Sequence, residues 1–270
     1  MTTFLPTPET TRLTLTQCQQ YHDKGYLKGL PLFDTVGVRE LASRFTQLSE
    51  QLPEECDISR VNCWHKANRW IYDLSRTPAL LDYVEDLLGP NFILWGSQFF
   101  AKFPHDGTVV PWHQDAQYWP LSPRHVVTAW IAIFDTDELN GAMRIVPGSH
   151  QSGPAEHRPV DGTHYILNQE IAPGSIPLSE IVSLNLRAGQ ISLHDDGLIH
   201  GSSANASQRM RAGLAFRYSP TDVKCDLSIW PNFESYLVRG QDDFQHNPTG
   251  KIPTQNGITT SMFPHASEFS

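Results

Sequence analysis

The residues that could do chemistry begin with the run Pro111-Trp112-His113-Gln114-Asp115-Ala116-Gln117-Tyr118-Trp119-Pro120. His113 and Asp115 are two residues apart. On extended backbone, residues i and i+2 point to the same side, so an imidazole and a carboxylate can aim at one point. That is two-thirds of a 2-His-1-carboxylate set, which leaves three positions of an octahedral iron(II) open. The pair becomes a metal site only with a third ligand. His200, in Leu198-Ile199-His200-Gly201-Ser202-Ser203, and His194, in Leu193-His194-Asp195-Asp196, both qualify on spacing. Eleven residues after His200 stands Arg211, in a stretch of otherwise small and apolar residues. A guanidinium there is costly to bury without an anion, and its planar fork suits bidentate capture of a carboxylate. A structural Asp or Glu could also be its partner.

Elements must bring these residues together. The first ninety residues read as helical. Thr14 or Thr16 caps a helix over the Gln17–Asp23 region that stops at Gly25, and Asp34 caps a second with Val38, Leu41, Phe45 and Leu48 on one stripe. Ser75 and Thr77 precede a third over Ala79–Leu88, which stops at Gly89. From Asn91 the period changes. Phe92–Phe103, His125–Phe134, Ala142–Val146, Val182–Leu186, Gln190–His194 and Met210–Tyr218 are short, β-branched and aromatic, with Gly and Pro between them. Such spacing predicts a sandwich or barrel. The polar stretch Ser149–Pro177 reads as a long loop. The expected organisation is one domain over 1–270: a helical layer to about 90, a β core over about 91–220, and a tail from 221.

On strand Phe92–Phe103, Gln98, Phe100 and Lys102 share a face. Either that face is outside, or it lines the pocket and puts Gln98 at the cofactor. Trp112, Tyr118, Trp119 and Trp130 read first as core aromatics. Arg217 shares the parity of Arg211, and six residues further on it belongs at the barrel rim.

The chain has 270 residues, a net charge of −9, 39% apolar and 18% charged residues, with no run of like charge. It is long enough to bury a large core. The balance argues against nucleic acid and anionic membrane as partners. The start, MTTFLPTPETTRL, has no apolar signal segment, and no stretch approaches a membrane span. Four scattered cysteines without a Cys-x-x-Cys pair fit a reducing cytoplasm rather than a disulfide framework.

The order His-x-Asp, distant His-Gly-Ser, then Arg resembles the phytanoyl-CoA dioxygenase family of iron(II)/2-oxoglutarate oxygenases. Trp130-Ile131-Ala132-Ile133-Phe134-Asp135 and Asn140-Gly141-Ala142-Met143-Arg144-Ile145-Val146-Pro147-Gly148-Ser149-His150 resemble the next two family elements, and the likeness runs from about Leu13 to Tyr218. It implies a double-stranded β-helix (a cupin-like jelly roll) under a helical layer. It implies iron on His113, Asp115 and His200, in preference to His194. It also implies 2-oxoglutarate on Arg211, helped by Ser202, with Trp130 near the co-substrate. The chemistry would be oxidative decarboxylation of 2-oxoglutarate by O₂ to succinate and CO₂, with hydroxylation of an aliphatic C–H.

The substrate expected is a free small polar molecule. The run from Trp112 to Pro120 looks most like the branch acting on 2-aminoethylphosphonate or its N-methylated relatives, and an aromatic cage would suit a quaternary ammonium. Three rivals stand beside this reading. A halogenase would lack the carboxylate that Asp115 supplies. A natural-product hydroxylase with a bulkier substrate would keep all four residues. A non-catalytic cupin-like binding protein would not need them.

Overall fold

The computed structural model describes residues 12–258, apart from 55, 161, 163 and 173. The two ends of the sequence discussed above, 1–11 and 259–270, lie outside the described residues. Helix α1 (Leu15–Lys24) starts at Thr14, whose hydroxyl and the Gln17 side chain form a capping box, and ends at Gly25 with φ +77°. Helix α2 (Thr35–Glu50) starts at Asp34, whose carboxylate accepts from the N–H groups of Val36 and Gly37. Leu41, Phe45 and Leu48 on its stripe are buried. Helix α3 (Arg69–Ser75) was not anticipated. Helix α4 (Pro78–Leu88) begins with proline at its first turn. The Thr77 hydroxyl donates to Leu74 O instead of capping it.

The expectation that everything before residue 91 is helical needs one correction. Strand β1 (Tyr26–Pro31) follows α1, with Leu27 buried and Lys28 exposed. Its partner strand is far along the chain, with Tyr26 opposite His194 and Pro31 opposite Gln190. The other strands follow in order: β2 (Phe92–Lys102), β3 (Val110–His113), β4 (Leu121–Ser122), β5 (Val127–Ala132), β6 (Met143–Ile145) and β7 (His157–Pro159). Then come β8 (Gln169–Ile171), β9 (Val182–Ser183), β10 (Gln190–Asp195), β11 (His200–Ser202), β12 (Arg211–Pro220), β13 (Lys224–Cys225) and β14 (Tyr236–Arg239).

Two sheets carry the site. The major sheet has the order β1-β10-β5-β12-β2-β14, the minor one β3-β11-β6-β9. Their strand pairs are antiparallel throughout. Together they form the expected jelly roll. Alternation on β12 divides the labour. Ala212, Leu214 and Phe216 join the large cluster that includes Phe45, Leu80 and Val84 of the helices. Each fully buried side chain of valine, leucine or phenylalanine size in it contributes ~1.5–3 kcal/mol. Arg211, Gly213, Ala215 and Arg217 occupy the opposite face, which looks into the jelly roll beside Trp130, Met143 and Ile145.

The segment expected to be a bare loop, 149–177, contains the β7–β8 hairpin and seats Ile171 and Ile176 against Val146. The tail is ordered where described. Tyr236 of β14 is buried in the main core, and Asn256 Oδ1 accepts from Trp70 N at 3.0 Å.

Candidate active site

His113 is the last residue of β3, and Gln114 after it is still extended (φ −112°, ψ 131°). Asp115 opens a 3-10 turn, Asp115–Gln117. The alternation read from sequence therefore holds, although the strand itself ends two residues before the carboxylate. Gln114 points the other way, donating to Gly153 O and Gly197 O and accepting from Ala155 N. The turn is tied down by Ala116 N–H donating to Asp196 O at 2.9 Å.

His200 stands on β11 directly across from His113, and the two rings lie 4.1 Å apart. Gly201 beside it packs against the β3 backbone. A Cβ there would meet Val110 O at 3.0 Å, which is why the His-Gly-Ser order lets β11 approach β3. His113 Nδ1 lies 2.8 Å from Pro111 O, and His200 Nδ1 lies 2.8 Å from Leu198 O. Each Nδ1–H is thus spent on a carbonyl two residues earlier, which leaves Nε2 free as a ligand. His113 Nε2 lies 3.5 Å and His200 Nε2 4.0 Å from Asp115 Oδ1. One ligand atom from each of the three lies within 4.8 Å of the others.

The charge states suit a metal. Burial opposes ionisation of Asp115, but His113, His194, His200 and Arg217 outweigh it and hold the carboxyl well below its usual range. Burial and the neighbouring His113 keep His200 neutral. Two imidazoles and one carboxylate are the donor set that iron(II) takes while keeping open positions.

His194, the rival on spacing, lines the same cavity as these three from the other sheet, its ring 4.8 Å from that of His200. It lies on β10 opposite Thr128 of β5, and Arg217 of β12 lies opposite Thr128 on the other side. These three residues form a row across the major sheet beneath the outer oxygen of Asp115. Thr128 Oγ1 donates to Oδ2 at 3.3 Å, and His194 Nε2 is 3.6 Å from the same oxygen. Neither Thr128 nor the register that makes this row could be read from local sequence.

A small cavity of about 30 Å³ joins the triad to Arg211, with Trp130, Ser202, His194 and Arg217 also in its wall. Arg211 is buried, its Nη1 donates to Phe100 O at 3.1 Å, and its Nε has no partner. Its guanidinium lies 4.8 Å from the Trp130 ring centre, and burial brings its pKa down to about 10, so it stays charged at neutral pH. No described carboxylate lies within 4.0 Å of it, which leaves no support for a structural ion pair there. An uncompensated buried guanidinium calls for an anion. Ser202 lines the same end, and its hydroxyl accepts from Lys102 Nζ at 2.8 Å.

Gly213 makes this end possible. A Cβ on it would fall 1.9 Å from Trp130 Cζ2. Gly213→Ala is therefore expected to drive the Trp130 ring off the Arg211 guanidinium and to cost ~1–3 kcal/mol by overpacking. A lowered denaturant midpoint together with weakened 2-oxoglutarate binding would show both effects. A variant with wild-type values for both would mean that the ring is not confined.

Other expectations fare differently. Gln98 does not line the cavity. Its Oε1 accepts from Arg217 Nη2 at 3.0 Å and its Nε2 donates to Ser59 O at 2.7 Å. Arg217, expected at the rim, is buried in the cavity wall instead, because Gly96 opposite it leaves room for its stem. Trp119 packs edge-on to Trp95 at 4.7 Å, and the Arg217 guanidinium lies 5.2 Å from its ring centre, so a protein cation already lies over this aromatic ring. Tyr118 donates to Gln169 O.

Comparison with known proteins agrees with this geometry. A family model described as phytanoyl-CoA dioxygenase matches residues 21–213. A probable alpha-ketoglutarate-dependent hypophosphite dioxygenase from Stutzerimonas stutzeri is 27% identical over 83% of this chain and 86% of its own length. L-proline trans-4-hydroxylase from Streptomyces griseoviridis is 29% identical over 70% and 81%. Among solved structures, the apo form of the non-heme monooxygenase ThoJ superposes with a TM-score of 0.74 at 25% identity, covering 88% of this chain and 89% of that one. CytC3 with Fe(II) and alpha-ketoglutarate shares the fold at a TM-score of 0.65 and 20% identity, over 92% and 99%. With the model matching well over half of its length, the chain belongs to the phytanoyl-CoA dioxygenase family of iron(II)/2-oxoglutarate-dependent oxygenases.

Proposed function

We propose that this dioxygenase hydroxylates an aliphatic C–H of a small polar molecule, with the α-carbon of 2-aminoethylphosphonate or an N-methylated relative as the favoured target. The observation that carries the reading is one cavity with the His113–Asp115–His200 set on one wall and the uncompensated Arg211 at its end. His113, Asp115 and His200 hold iron(II). Arg211, with Trp130 beside it and Ser202 at the same end, binds the distal carboxylate of 2-oxoglutarate. When bound, the iron and 2-oxoglutarate supply the oxidising equivalent from O₂, and 2-oxoglutarate leaves as succinate and CO₂. The chain's own part is to orient and to keep water out of an apolar-walled pocket. The hypophosphite relative favours a phosphorus oxyanion over a bulky apolar substrate. The oxygenase unit runs through the chain as a single domain.

Among the described residues no helix is long and apolar enough to cross a membrane, and Cys18, Cys63 and Cys225 are free thiols. A reducing cytoplasm suits such thiols.

The test is O₂-dependent succinate formation with iron(II) and 2-oxoglutarate over a panel of phosphonates, amino acids and apolar natural products. Asp115 fills one iron position and leaves chloride no ligand site to replace it. In chloride buffer under ¹⁸O₂ the product should thus be an alcohol carrying ¹⁸O. A chlorinated product would overturn the hydroxylase reading, and absence of succinate under all conditions would favour a binding protein.

A further inference from the structure

A second buried guanidinium faces the same cavity, and binding iron and 2-oxoglutarate gives it no obvious partner. Arg217 is 7% exposed and lies in the cavity wall on the face of β12 shared with Arg211. Six residues of strand separate their backbones by roughly 20 Å. The two guanidinium groups therefore enter from opposite ends, and Arg217 comes in on the Asp115 side, next to Thr128. No described carboxylate lies within 4.0 Å of it. Its one side-chain hydrogen bond goes to the neutral amide of Gln98, and its Nε is buried without a partner.

The surroundings hold this side chain in place. Gln98 is itself anchored on Ser59 O, Trp119 lies over the guanidinium, and a Cβ on Gly96 would meet Arg217 Cδ at 2.8 Å. A rigid, desolvated cation with an unused donor is costly unless a ligand compensates it. Charge counting points the same way. Iron(II), the 2-oxoglutarate dianion, the Asp115 carboxylate and the Arg211 guanidinium cancel, and the Arg217 charge remains.

We propose that Arg217, braced by Gln98 and Trp119, receives the oxyanion headgroup of the substrate, a phosphonate, phosphinate or carboxylate. This rests on the oxygenase reading above and adds the residue that selects anionic substrates. The headgroup would be held at the metal end of the cavity, away from Arg211, so that the neighbouring C–H is presented to the iron.

The experiment is an anaerobic titration of the iron(II)·2-oxoglutarate protein with 2-aminoethylphosphonate, methylphosphonate, acetate and tetramethylammonium. It is followed by calorimetry and by the charge-transfer absorption of the iron–2-oxoglutarate chelate. At least one oxyanion should bind saturably and tetramethylammonium should not, and the ranking of the oxyanions separates phosphorus from carboxylate chemistry. Arg217→Gln should weaken oxyanion binding roughly 30-fold or more with the chelate band unchanged. Arg217→Lys, which keeps the charge and loses the fork, should fall between. Gly96→Ala, which displaces the Arg217 stem without removing it, should also weaken the oxyanion and spare the chelate. Undiminished oxyanion binding by Arg217→Gln overturns the proposal. So does loss of the chelate band in that variant, because the Arg217 charge that helps keep Asp115 ionised would then serve the metal and not a substrate. A wild-type protein with a normal band and no oxyanion response overturns the Arg217 assignment alone. A wild-type protein with no band fails the oxygenase reading and takes the proposal with it.

Discussion

Replacing His200 with alanine is expected to abolish stoichiometric iron(II) binding, and with it 2-oxoglutarate turnover. His200 Nε2 is one of three free donors around one point, and its tautomer is fixed from behind by Leu198 O. Losing a ligand outright should exceed the roughly 10- to 100-fold that loss of an outer partner costs in metal affinity. His194→Ala should stay at or below that smaller range, because His194 Nε2 faces the outer oxygen of Asp115. Anaerobic metal analysis after desalting separates the two. Retained iron in His200→Ala alongside lost iron in His194→Ala would exchange their assignments.

Arg211 should give the next largest effect. Arg211→Ala removes the partner of a buried carboxylate, a loss of about 2–5 kcal/mol when the other charge is left unpaired. The KM for 2-oxoglutarate should therefore rise by at least an order of magnitude. Arg211→Lys keeps a positive charge, but it loses the planar fork and the stacking surface that Trp130 provides. It should sit between wild type and Arg211→Ala. Saturation curves in 2-oxoglutarate at fixed iron measure this. An Arg211→Ala protein with normal dependence would transfer the role to another cation, of which Arg217 lines the same cavity.

The cluster of His113, Asp115 and His200 was legible because two of its members are two residues apart and the third has a local Gly-Ser context. The helix starts were legible for the same reason, since Thr14 and Asp34 act on N–H groups two or three residues away. What could not be read depends on register. Strand β1 is six residues between two helices, and only its pairing with β10 makes it a strand. The row His194–Thr128–Arg217 is drawn from three strands, so no local pattern contains it. Arg217 had the right parity, but its burial depends on Gly96, 121 positions earlier and opposite it across β2. The preference for His200 over His194 came from the family resemblance, and its physical reason lies in folded backbone: His200 Nδ1 meets Leu198 O, whereas His194 Nδ1 is buried without a partner.

The two sheets divide the site between them. His113 and His200 belong to the minor sheet, and Arg211, Trp130 and Arg217 to the major one. In the protein alone, the direct polar ties across this part of the gap include Thr128 to Asp115 and Lys102 to the oxygens of Ser202 and Ser203. An iron atom on one wall and a dicarboxylate reaching the other would act as a staple through the middle of the sandwich. Loading then does more than equip the enzyme for reaction. Because the ligands bind only the assembled pair of sheets, each tenfold excess over their dissociation constants adds about 1.4 kcal/mol to the resistance of the two layers to coming apart. The cell's supply of iron and 2-oxoglutarate would in that way bear on what fraction of the chain stays folded.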